Sequence, residues 1–231
     1  MSTQNHRNQT LLSRYFKNES ESNVSCLYCF QNIHTHEDIF HYILHTSLLC
    51  GDCLKQLEEY KRVICIDELT IYVWYIYNTF LEGMIFQFKE GHDIALRNVF
   101  FYDAIPYLQH HYKNYTIVVL PSSKEKMIER SFLPVKEMLK GCKLEIIEPF
   151  YKSCNYKQSL QHFSQREHIQ DIMKRNPDVV LPQTPLLLVD DVCTSGNSLL
   201  CAYKLLKPHP YPIQAFVLSA HPMFLQRYET K

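Results

Sequence analysis

Asp190 and Asp191 stand side by side after a short apolar run, Leu186 to Val189. Two adjacent carboxylates accept hydrogen bonds well from vicinal hydroxyls, such as those of a ribose. Thr194, Ser195, Gly196, Asn197 and Ser198 follow, supplying three hydroxyls, one flexible residue and a run of backbone N–H groups. Leu199, Ala202, Tyr203 and Leu206 then recur at i, i+3, i+4 and i+7, which predicts a helix from near Asn197. A helix N-terminus offers unpaired N–H groups and a positive dipole end, and it favours a phosphate. The spacing therefore suits a phosphorylated sugar. No Lys follows Gly196, so this is not a Walker A loop. The plain alternative is an acidic turn and a capped helix with no ligand.

A second set of chemical residues lies near the start. Cys26-Leu-Tyr-Cys29 and Cys50-Gly-Asp-Cys53 form two C-x2-C pairs with 20 residues between them. Each pair can bend round one ion, and four thiolates close a tetrahedral Zn2+ site. Gly51 gives the second pair a permissive backbone. A closed site has no position for substrate, so the zinc is expected to be structural. His34, His36, His41 and His45 lie between the pairs and read as surface or packing residues, because four Cys fill the shell. The chain has 9 Cys, an odd number that disfavours a disulfide framework. Cys65, Cys142, Cys154 and Cys201 read as small core residues.

These residues need a scaffold. The 231 residues are 46% hydrophobic, enough for one medium α/β domain and a small appendage. Leu186 to Val189 lack alternation, as in a strand buried on both faces of a parallel sheet. Such sheets bind ligands past the carboxyl ends of their strands, where the two acids are expected. Ile71–Tyr77, Thr116–Leu120, 144–148 and Ile213–Leu218 read as further strands. Leu54–Leu57 reads as the start of a short helix. Phe80–Phe88 and stretches near 94–110 and 127–140 have helical spacing. The βαβα alternation predicts a mainly parallel twisted sheet flanked by helices on both faces. The expected division is a disordered tail over 1–20, a zinc module over 21–60 and an α/β domain over 61–231.

Formal net charge is +0, which gives no general attraction to nucleic acid. Charge is uneven, however: residues 121–175 carry 11 Lys/Arg against 7 Asp/Glu, whereas residues 1–70 carry 6 against 9. No apolar run reaches the roughly 18 residues of a membrane span. The polar N-terminus lacks the apolar core of a secretory signal. The expectation is a cytoplasmic protein, with peripheral association at the inner face of the membrane left open.

The Leu186–Ser198 segment resembles the phosphoribosyl pyrophosphate (PRPP) signature of type I phosphoribosyltransferases. The resemblance implies that fold, with Asp190 and Asp191 at the ribose hydroxyls and Mg2+, and Thr194, Ser195, Gly196, Asn197 and Ser198 around the 5′-phosphate. Purine-salvage members carry an Asp where Thr194 stands, which argues against that branch. From about residue 24 onward the order of motifs also resembles the ComF family of competence-associated proteins. The motifs are the cysteine module, Phe88-Lys89-x-Gly91-His92-Asp93, Pro121-Ser122-Ser123-Lys124 with Arg130-Ser131-Phe132, a stretch from Asn155 to Arg166, and the acidic loop. This implies a pyrophosphate loop at Ser122, Ser123 and Lys124, with Arg130 as a further cation for a diphosphate. The family usually shows Arg-Gly-Phe-Asn-Gln, whereas Arg130-Ser131-Phe132-Leu133-Pro134 stands here. Gln158, Leu160 and Arg166 keep part of a second family pattern.

The resemblance implies a protein of natural competence and DNA uptake with a PRPP-binding domain. Phosphoribosyl transfer would displace a Mg2+-bound pyrophosphate from the anomeric carbon through an oxocarbenium-like state. The protein would contribute positioning and charge stabilisation. No residue presents itself as the base that would activate an acceptor, and the acceptor is not legible. The alternative is a non-catalytic module that holds single-stranded DNA or a helicase-like partner protein, or a regulator that senses PRPP.

Overall fold

The structure is a computed structural model and describes residues 25–33, 48–122, 124–152 and 173–229. The expected tail over 1–20, the four interposed His, Ser123, Cys154 and the Asn155–Arg166 stretch lie outside the described residues. The chain divides into two compact units, Met1–Cys50 and Gly51–Lys231.

In the first unit the Cys26–Cys29 pair sits on a tight knuckle. The Cys26 N–H donates to the Gln31 carbonyl at 2.8 Å, and the Phe30 N–H donates back to the Cys26 carbonyl at 3.0 Å. Phe30 takes a left-handed φ of 62° to close the turn. Ser25 and Asn32 bridge across its base.

The second unit opens with α1 (Gly51–Leu54), β1 (Glu59–Ile66), β2 (Leu69–Ile76) and α2 (Thr79–Lys89). A 3-10 turn (Ile94–Leu96), α3 (Arg97–Phe100), α4 (Ala104–His111) and β3 (Thr116–Val119) come next. Then follow α5 (Lys124–Arg130), α6 (Pro134–Met138), β4 (Ile146–Ile147), β5 (Phe150–Lys152) and β6 (Met173–Arg175). The chain closes with β7 (Leu186–Cys193), α7 (Asn197–Leu206), β8 (Ile213–Ala220) and α8 (Pro222–Glu229). Six strands form one sheet in the order β1-β2-β8-β7-β3-β4, while β5 and β6 form a separate hairpin. Only β1–β2 is antiparallel in the large sheet; the other four pairings are parallel. The mainly parallel sheet expected from the alternation is present.

Both faces of this sheet are covered. On one face Leu186, Leu188, Ile71, Val73, Ala215 and Val217 pack with Leu199, Ala202 and Leu206 of α7 and Phe224 and Leu225 of α8. On the other, Tyr72 stacks on Phe216 at 5.6 Å and meets Tyr107 of α4 at 4.7 Å. Two-sided burial explains why the β7 sequence shows no alternation.

The connection from β3 to β4 steps outward one way along the sheet, and that from β7 to β8 steps the other. The boundary between β3 and β7 is thus a topological switch point, where open α/β sheets form their crevice. Pairing of β3 with β7 ends at Val119 with Val189. Beyond it β7 continues beside β8 alone, with Asp190 opposite Val217 and Cys193 opposite Ala220.

Several boundaries differ from expectation. β7 runs through both acids instead of stopping before them. β1 is an edge strand with exposure on most residues, so its pattern hid it. The single helix expected over 127–140 is two, separated by Ser131, whose φ is 60°. Leu54–Leu57 is the end of α1 and a turn rather than a helix start.

Candidate functional site

The end of β7 fixes both acids. The Asp190 Oδ1 accepts from the Asp191 N–H at 3.0 Å, and the Asp191 Oδ1 accepts from the Val192 N–H at 2.8 Å. The Ser219 hydroxyl donates to the Asp191 carbonyl at 3.1 Å, tying this segment to β8. Strand alternation turns the two side chains apart. Asp191 is buried and forms an ion pair with Lys89, the last residue of α2. Asp190 is half-buried, and desolvation followed by the neighbouring Asp191 charge pushes its carboxyl up to about 7.

The loop turns at Gly196, whose φ is 77°. A Cβ there would meet Ile66 Cδ1 at 2.6 Å and Phe224 at 3.0 Å, so conformation and space both require glycine. Thr194 and Ser195 are exposed; Asn197 and Ser198 are half-buried at the start of α7. The Ser195 hydroxyl accepts from the Asn197 N–H at 3.4 Å. Cys193 is buried, and desolvation with the Asp190 charge pushes its thiol up to about 12. It is therefore no nucleophile at neutral pH.

A cleft of about 280 Å³ opens beside these residues. That is near the small end of small-molecule sites. Its polar wall comprises Asp190, Asp191 and Ser198 from the β7–α7 segment, Ser122 after β3, and three lysines: Lys89, Lys126 and Lys152. Leu120, Pro134, Val135 and Met173 supply apolar surface. Three ammonium groups against two carboxylates make the wall cationic. An adjoining recess of about 150 Å³ shares Leu120, Pro121, Ser122 and Lys152 and adds Met127, Leu133, Phe150 and Tyr151.

Of the predicted site residues, the structure brings Asp190, Asp191, Ser198 and Ser122 to one cleft. Thr194, Ser195, Gly196 and Asn197 form the adjoining turn without lining it. Lys124 opens α5. Arg130 departs from expectation: it is 6% exposed, pairs with Glu90 and does not line the cleft. The same contacts explain the Phe88–Asp93 motif. Glu90 holds Arg130, and the His92 ring is 3.3 Å from the Glu129 carbonyl. Gly91 leaves no room for a Cβ, which would sit 2.6 Å from the Gln87 carbonyl oxygen. Asp93 accepts from Gln87 at 2.8 Å. The motif thus fastens the end of α2 to α5 and aims Lys89 at Asp191. Sequence reading singled out the motif but not its lysine. Lys126 and Lys152 were legible only as part of the basic stretch over 121–175.

The ligand atoms of Cys26, Cys29, Cys50 and Cys53 all lie within 4.8 Å of one another, and the Cys29 and Cys50 sulfurs are 3.6 Å apart. Zinc–sulfur bonds in a tetrahedron put sulfurs about 3.8 Å apart, so the cluster fits a zinc ion. Burial opposes ionisation of Cys26, but N–H groups of Cys29, Cys50 and Tyr28 outweigh it and bring the thiol down to about 7. Among the described residues, no helix is long and apolar enough to cross a membrane.

No family model matches the chain. It is similar to competence protein ComFC of Streptococcus pneumoniae (strain ATCC BAA-255 / R6), with 24% identity over 208 residues, covering 80% of this chain and 94% of that protein. Among solved structures, it is similar to an adenine phosphoribosyltransferase at 12% identity, with a TM-score of 0.39 and coverage of 65% of this chain and 81% of that one. The adenine phosphoribosyltransferase of Saccharomyces cerevisiae gives 12% identity and a TM-score of 0.37 over 76% of this chain and 89% of that one. The orotate phosphoribosyltransferase of Mycobacterium tuberculosis H37Rv gives 13% and 0.32 over 75% and 95%. The resemblance to ComF-type proteins read from the motifs thus extends over most of the chain.

Proposed function

We propose that this chain is a competence-type protein that binds PRPP in the cleft between the ends of β3 and β7. One observation carries the reading: two acids on the end of β7, a serine at the start of α7, a serine after β3 and three lysines converge on a single cleft. The acids suit ribose hydroxyls. The α7 N-terminus with Ser195 and Ser198 suits the 5′-phosphate. Ser122 and the lysines suit a diphosphate, each lysine acting as a point charge. On this reading any Mg2+ present is carried by the diphosphate's own oxygens, and the cleft holds the diphosphate without requiring it. The four-cysteine cluster holds structural zinc.

If the cleft also supports transfer, the chain's residues position the sugar and stabilise charge on the departing diphosphate. The buried, protonated Cys193 is not the acceptor's activator. A non-catalytic PRPP-binding role in DNA uptake uses the same cleft and differs only in turnover. The test is calorimetric titration of the zinc-loaded protein with PRPP. Binding is expected, and it is expected to fall beyond detection in Asp190→Ala/Asp191→Ala. Equal heats in both proteins reject the site.

A further inference from the structure

The motif resemblance places Mg2+ at the acid pair, but Asp191 as folded offers that ion no open oxygen. A hard divalent cation needs open carboxylate oxygens and room for several retained waters. Asp191 is only 7% exposed. Its Oδ1 takes the Val192 N–H at 2.8 Å, and its Oδ2 is ion-paired with Lys89. The Asp190 Oδ1 takes the Asp191 N–H at 3.0 Å. A cation already stands at this position, and it is an ammonium group.

Lys89 is held there by the fold. Its side chain is 19% exposed. It ends α2, and the residues just after it fasten that end: Glu90 to Arg130, and His92 against the Glu129 carbonyl.

We infer that Lys89 is the resident cation of this cleft, supplying at Asp191 the positive charge that a divalent ion would otherwise bring. An anionic diphosphate ester is then held without a metal ion bound to the acid pair. The ligand half of this inference rests on the proposed reading of the cleft; the metal half does not.

The test has two arms, both on zinc-loaded protein. In the first, Mn2+ is titrated and followed by electron paramagnetic resonance. Wild type is expected to bind no Mn2+ at the pair. Lys89→Met is expected to gain one Mn2+ site, which Lys89→Met/Asp191→Asn loses again. Mn2+ binding by wild type that disappears in Asp191→Asn overturns the inference, and that comparison stands even if Lys89→Met fails to fold. A folded Lys89→Met that gains no Mn2+ overturns it too. In the second arm, PRPP binds wild type alike with and without Mg2+. Lys89→Met loses affinity on the order of 30-fold or more in Mg2+-free buffer, the scale of truncating one partner of a buried charge pair, and recovers with Mg2+. Mg2+-dependent binding by wild type counts against the inference. If no form binds PRPP, the proposed function fails while the Mn2+ arm still decides the role of Lys89.

Discussion

Asp190 and Asp191 are neighbours with different environments. Asp191 is paired with Lys89, whereas desolvation, followed by the neighbouring Asp191 charge, drives Asp190 toward its protonated form. This has a consequence for stability. An unfolded Asp releases its proton near its ordinary value of 3.8, but folded Asp190 keeps it up to about 7. Between those values the folded state binds the extra proton, so rising pH removes stability across this window. Asp190→Asn lacks the effect. The melting temperature of Asp190→Asn relative to wild type is expected to rise steadily from about pH 4 to about pH 7 and then level off. A pH-independent difference would show that Asp190 ionises normally in the folded protein. The acids themselves were legible from their place after an apolar run. The ion pair was not, because it joins β7 to the end of α2 and only tertiary packing brings the two together.

The elements were legible where packing imposed a period. Leu199, Ala202, Tyr203 and Leu206 predicted α7, and Ile71 to Tyr77 predicted β2, because each element buries a continuous face. β1 escaped notice: its burial is confined to Ile64 and Ile66, and its charged edge reads as loop. The break between α5 and α6 was hidden for another reason. Ser131 adopts a left-handed φ of 60°, which few non-glycine residues advertise in sequence. That break leaves Arg130 at the end of α5, facing Glu90. This pair and the His92 contact with the Glu129 carbonyl join the end of α2 to α5. Arg130 is 5% exposed along its side chain and Glu90 is 32% exposed. Glu90→Gln is expected to lower stability by about 2 kcal/mol in a denaturant titration, below the full effect of breaking a buried pair because Glu90 is partly solvated. It is also expected to weaken PRPP binding by loosening Lys89. Unchanged stability would mean that Arg130 finds another partner.

At the scale of the sheet, mainly parallel strands with two oppositely stepping crossovers form a crevice among the described residues, and acids, serines and lysines gather there. The order of motifs along the sequence singled out Ser122, Asp190, Asp191 and Ser198, which line one cleft. It did not foretell the lysine wall, since Lys89, Lys126 and Lys152 come from three separate elements and none stands in a phosphate-loop pattern. On the proposed function, PRPP lies across the ends of β3 and β7. Hydrogen exchange of the zinc-loaded protein with and without PRPP tests it most directly. Slower exchange is expected in the β7–α7 turn around Asp191 to Leu200 and at the start of α5, with β1 unchanged. No protection in the turn at saturating PRPP, or protection centred on β1, would contradict it.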